Sequence, residues 1–169
     1  MSAAMSDPRE LFLHELQDIY YAENTITKAL PTMIREAGDD ELATGLKKHL
    51  EETKDQIKVL DQVFEQIGEK AKGEQCPGIE GLKAEHDEFM SKESPTPEIC
   101  DMFLTGAAAR VEHYEIAAYT GLITLARGLG ETECVALLEE NLSQEKEALK
   151  AVETVSKRLA KDAKQLVAA

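Results

Sequence analysis

Tryptophan is absent from the 169-residue chain, and phenylalanine and tyrosine occur four times each. Such a composition does not build a β-sandwich. Cysteine is scarce: Cys76, Cys100 and Cys134 are odd in number and far apart, which argues against a disulfide framework or a clustered zinc site and fits a reducing compartment. No apolar run approaches the roughly 18 residues that a spanning helix needs. Residues 1–6 carry neither a basic stretch nor an apolar one, so no targeting peptide is expected and the expected location is the cytoplasm. Positive charge is also short. Lys and Arg number 19 against 33 Asp and Glu, for a net charge of −14. This excess opposes the phosphate neutralisation on which binding to nucleic acid depends, and it disfavours anionic membranes as partners.

What abounds is Ala, Leu, Glu and Lys, the residues of long helices. The length suits one domain, spanning 1–169. Asp7 followed by Pro8 is a helix start, and Phe12, Leu16, Ile19, Ile26, Leu30 and Met33 then recur at helical spacing. The first helix is predicted over 8–37, with Gly38 ending it. A second follows over 40–68 on the stripe Leu42, Leu46, Leu50, Ile57, Leu60, Phe64 and Ile67, and closes at Gly68. Residues 69–96 form a long crossover, with a short helix possible over 80–91. Pro97 opens a third helix, 97–127, and Gly128 and Gly130 precede a fourth, 131–162. Short turns within each pair make the paired helices antiparallel, so the predicted fold is all-α: a four-helix bundle with one long crossover. The two halves also match at an offset of 92, which pairs Leu30 with Leu122, Leu46 with Leu138 and Gly38 with Gly130, and implies a pseudo-twofold axis.

Three of the stripes are interrupted by charge. Counting 16, 19, 23, 26 on the first helix places Glu23 at the centre of the apolar face. The same count places Glu115 on the third helix and Glu145 on the fourth. Under the 92-residue offset Glu23 corresponds to Glu115, so the two should face each other. On the second helix the matching position is Thr53, with His49 one turn earlier and Glu52 at the stripe edge; Glu112 lies off the centre of its own stripe. Several unpaired carboxylates in an apolar core cost several kcal/mol and repel one another. No Lys or Arg falls on the stripes at this level. A pair of bound metal ions resolves the conflict, and carboxylates with an imidazole suit iron or manganese rather than structural zinc. Alternatively, the carboxylates face a wet cavity or an interface and are neutralised by Arg110 and Lys28. Tyr20 and Tyr119 lie one turn from Glu23 and Glu115 and either hydrogen-bond a carboxylate or simply pack. His14, His86 and His113 read as surface or structural residues, and Pro31 should bend the first helix.

The segments Glu15–Glu23, His49–Thr53, Arg110–Tyr119 and Glu139–Glu145 together resemble the YciE/YciF stress-protein family, a ferritin-like group. The resemblance implies a ferritin-like bundle, a link to bacterial stress, a homodimer and a dinuclear iron-type site. Its metal ligands would be Glu23, His49, Glu52, Glu112, Glu115 and Glu145, with bridging carboxylates holding the ions about 3.5–4 Å apart. Oxidation of Fe(II) by O₂ or peroxide is the chemistry such a site would support. Two departures stand out: on the second helix the histidine precedes the glutamate, and Ala148 stands three residues after Glu145 where ferritin-like relatives carry histidine. Phe64, Ile67 and Phe103 near the helix ends are candidates for a dimer contact. The competing reading is a non-catalytic helical interaction protein whose acidic surface recognises a basic partner.

Overall fold

The computed structural model describes residues 4–161 and 163–167. Its elements are α1 (Pro8–Glu36), α2 (Asp40–Gln66), α3 (Pro77–Glu93), α4 (Pro97–Leu129), α5 (Thr132–Leu159) and the single-turn α6 (Ala163–Val167). Asp7 accepts a hydrogen bond from the Arg9 amide at 2.9 Å, and Asp39 accepts one from the Leu42 amide at 2.9 Å. Each thereby satisfies one of the amides that a helix start leaves without an intrahelical partner. α1 continues through Pro31 to Glu36. The predicted crossover helix is longer than expected, 17 residues instead of 12, because Pro77 sits at its first turn, where a missing amide costs nothing. Position 162, the expected end of the fourth helix, lies outside the described residues.

Polar contacts fix the topology. The Gly38 amide at the α1–α2 turn donates to Asp101 near the start of α4 at 2.8 Å, so α4 begins at the end of the bundle where α2 begins. Arg158, at the end of α5, pairs with Asp39 and Glu41 there at 2.6 and 2.8 Å. Arg9 at the start of α1 pairs with Glu131 at the start of α5, at the opposite end. The order is therefore up, down, down, up, and the crossover carrying α3 runs the length of the bundle, packed against α1 and α4. The core between the four long helices includes Leu16, Ile19, Leu60, Phe64, Leu104 and Leu138, all fully buried.

Gly130 caps α4 at φ 77°, where its amide bonds back to Ala126 and Arg127. Gly38, although matched to it by the sequence repeat, is not left-handed; its amide donates to Asp101, and a Cβ there would lie 3.3 Å from the same carboxylate. A side chain at Gly130 would have open space but a strained backbone. Gly130→Ala should therefore cost about 1 kcal/mol and lower the thermal midpoint by about 2–4 °C in a calorimetric scan.

The aromatic residues proposed for a dimer contact serve the chain's own packing. Phe64 is fully buried with Tyr20 edge-on at 5.4 Å, and Phe103 stacks on Phe89 at 3.7 Å. Among the described residues, no helix is long and apolar enough to cross a membrane.

Candidate metal centre

At mid-height, four helices each deliver polar side chains into the dry interior. α1 contributes Glu23, α2 contributes His49, Thr53 and Gln56, α4 contributes Glu112, Glu115 and Tyr119, and α5 contributes Asn141 and Glu145; none is more than 7% exposed. Helical spacing explains the grouping. Glu112, Glu115 and Tyr119 are three and four residues apart, as are His49, Thr53 and Gln56, so each set lies along one helix face. One ligand atom from each of His49, Glu112, Glu115 and Glu145 lies within 4.8 Å of the others. Glu23, fully buried on α1, adjoins this group closely enough for Glu115 and Glu145 to bear on its titration.

The hydrogen bonds around the group hold it in place without satisfying it. The Tyr119 hydroxyl donates to Glu23 and receives the Asn141 amide at 3.0 Å. The Gln56 amide donates to Glu145. His49 Nε2 lies 3.4 Å from Glu112 but makes no hydrogen bond, and neither of its ring nitrogens has a partner. Unpartnered as well are Glu23 Oε2, Glu112 Oε2, both oxygens of Glu115, Glu145 Oε2, Gln56 Oε1 and Asn141 Oδ1. Buried polar groups are ordinarily hydrogen-bonded, so a concentration of unmatched acceptors marks this cluster as a candidate site for a cation.

The titration behaviour agrees. Burial, reinforced by the neighbouring Glu145, pushes the Glu23 and Glu115 carboxyls well above the usual range. Glu112 is raised chiefly by burial and then by Glu145. Burial lowers His49 despite the opposing pull of Glu145, which favours neutral imidazole, the form that ligates metal.

The proposed neutralising residues are elsewhere. Arg110 is half exposed and pairs with Glu85 at 3.1 Å, and Lys28 is exposed. No Lys or Arg is buried among the described residues. Glu52 also stands apart from the group: its side chain keeps 23% of its exposure and pairs with Lys48 at 2.5 Å. It lies just beside Thr53 on α2, one step of about 100° off the buried face. Tyr20 donates to Asp61 at 3.0 Å instead of a site carboxylate. His86 is a structural residue, held between Glu36 at 2.8 Å and Asp87 at 3.0 Å. Gln56 and Asn141 are the two site residues that sequence reading passed over. A signal existed, since Gln56 follows Thr53 by three residues on the buried face and Asn141 stands 92 residues after His49.

An up-down-down-up bundle with a full-length crossover and a mid-height cluster of carboxylates with one imidazole is a ferritin-like bundle. More narrowly, the chain belongs to the family described as a domain of unknown function, DUF892, which matches residues 7–165. It is similar to Protein YciF of Escherichia coli, at 40% identity over 143 residues covering 84% of this chain and 86% of that protein. The structure of that E. coli stress protein, YciF, superposes with a TM-score of 0.88 at 36% identity, covering 93% of this chain and 99% of the other. YcfI of Rhodopseudomonas palustris, provisionally called a structural protein, gives 0.88 at 45% identity, covering 91% and 98%. A protein of Xanthomonas campestris shares the fold at 22% identity and a TM-score of 0.72, covering 96% and 100%.

Proposed function

We propose that this protein is a bacterial stress protein of the ferritin-like class that holds two iron-type ions at mid-height of the bundle. Glu23, His49, Glu112, Glu115 and Glu145 are the ligands in this reading, and Glu52 is not among them. The observation that carries it is the set of unpartnered, buried acceptor atoms on four helices with no buried Lys or Arg to meet them. The donor set, mostly carboxylate oxygen with one imidazole and no thiolate, favours iron or manganese. The stress role rests on the likeness to the E. coli stress protein YciF.

When bound, an iron pair would supply two electrons to peroxide, which with two protons becomes two waters as two Fe(II) become two Fe(III). The chain's own residues have other tasks. Tyr119 and Gln56 orient Glu23 and Glu145, so the carboxylates are positioned before an ion arrives. Burial excludes bulk water and strengthens each ligand's hold on a cation. The raised carboxyls hold protons in the metal-free protein and must release them on loading.

Plasma-emission analysis of untagged protein purified without chelators should find about two transition-metal ions per chain, the count of a dinuclear carboxylate site. Negligible metal, even after incubation with Fe(II) or Mn(II) under anaerobic conditions, would favour a structural helical protein instead.

A further inference from the structure

The metal reading raises the question of how an ion reaches a buried site, and the surface between α2 and α5 answers it. A groove of about 480 Å³ opens there to solvent. It has room for on the order of a dozen waters. Its floor is formed by His49 and Glu112, whose unpartnered atoms belong to the cluster described above, and Glu52 and Lys48 stand at its rim. On its other side the same pair of residues meets a cavity of only about 50 Å³ beneath α3, walled by Ile26, Leu30, Ile79 and Leu82. A hydrated ion fits the first and not the second.

We propose that the α2–α5 groove is the path by which a divalent cation enters, and that Glu52 is the ligand at its mouth, passing the ion to His49 and Glu112. The proposal rests on the metal reading above. Glu52 suits the role because it is half-buried and lines the same groove as His49 and Glu112. Glu41, also on the groove, is already held by Arg158 at 2.8 Å. Ala108, Ala151, Val152 and Val155 form apolar walls, and Thr44, Thr154 and the exposed Glu147 are the other side chains on the groove that carry oxygen. The Lys48 ammonium competes with the incoming ion for Glu52. As an exposed pair it is weak and easily exchanged. Gly45 lies on the groove wall, and a Cβ added there meets nothing within 4 Å, so a larger residue can be introduced at the groove without a backbone clash at its first carbon.

The test is stopped-flow uptake of Co(II) by the metal-free full-length protein, read by the visible bands of the bound ion. Glu52→Gln should slow uptake about tenfold at low salt, Lys48→Gln should accelerate it, and both differences should shrink as ionic strength rises. Gly45→Phe should slow uptake at least as much, with the final occupancy of the wild type. Equal rates in all four proteins at equal final occupancy would overturn the route while leaving the metal site intact. Lost occupancy in Glu52→Gln would make Glu52 a resident ligand and overturn its role at the mouth. Absence of cobalt bands in the wild type would overturn the metal reading and the route with it.

Discussion

Glu115→Gln is expected to abolish metal loading and, in the same protein, to raise the melting temperature of the metal-free form. Glu115 is fully buried, and neither of its carboxyl oxygens has a partner. Three other members of the cluster, Glu23, Glu112 and Glu145, bear on its titration, all of them disfavouring its ionised form. In the metal-free protein the group can only be tolerated protonated, and holding that proton at neutral pH costs stability. An amide of nearly the same shape carries no charge, and it adds N–H donors to a cluster whose buried acceptors lack partners. The gain should be on the order of 1–2 kcal/mol, or a few degrees in the thermal midpoint. The same change removes a ligand charge from the centre of the site, so metal content should fall from about two ions to nearly none. Calorimetry and plasma-emission analysis of one preparation check both halves. A metal-free variant less stable than wild type would show that the carboxylate contributes to stability as part of a hydrogen-bonded network, and would count against the site.

The second large effect is an inverted pH dependence. Glu23, Glu112 and Glu115 have folded pKa values above those of the unfolded chain. The stability they contribute in the metal-free protein is therefore fully present below an unfolded pKa near 4.3 and is lost as pH rises through the folded values. His49 acts in the other direction. Its folded value is depressed, so its contribution is present above about pH 6.5 and lost as pH falls. Above pH 6.5 the carboxyls act alone, and each proton retained by the folded state but not the unfolded one costs roughly 1 kcal/mol per pH unit. The metal-free melting temperature should fall as pH rises above 6.5, and Glu115→Gln should flatten that slope. Loaded protein should behave oppositely, because protons compete with the ion for the same oxygens and binding tightens as pH rises. Parallel melting curves for loaded and metal-free protein across that range would refute the linkage.

The core positions were legible wherever apolar spacing was regular. Leu16, Ile19, Leu104 and Leu138 are buried as their stripes predict. Glu23, Glu115 and Glu145 were legible for the opposite reason, since a carboxylate on such a stripe contradicts it. α2 was read with its face slightly rotated. Leu50 and Ile57, counted as core, are only partly buried, while Gln56 turns inward. An amide in a helix this rich in Glu, Asp and Lys resembles a solvated residue; its spacing from Thr53 marks the face it occupies, and its carboxylate partner on α5, 89 positions away, gives its role. Glu52 lines the same groove as His49 and Glu112 but keeps part of its exposure and pairs with Lys48, so helical spacing alone does not place it within the buried group.

Amino-acid order by itself determined the four long helices, the start at Asp7, the antiparallel pairs and the burial of acid on three helices, because spacing at 3.6 residues per turn and local capping are short-range effects. Tertiary structure decided which polar groups meet. The His49–Glu112 approach, the Gln56–Glu145 and Tyr119–Glu23 hydrogen bonds and the groove between α2 and α5 arise between helices distant in sequence. Their relative rotation and axial register are set by how whole faces interlock, and no local pattern encodes that.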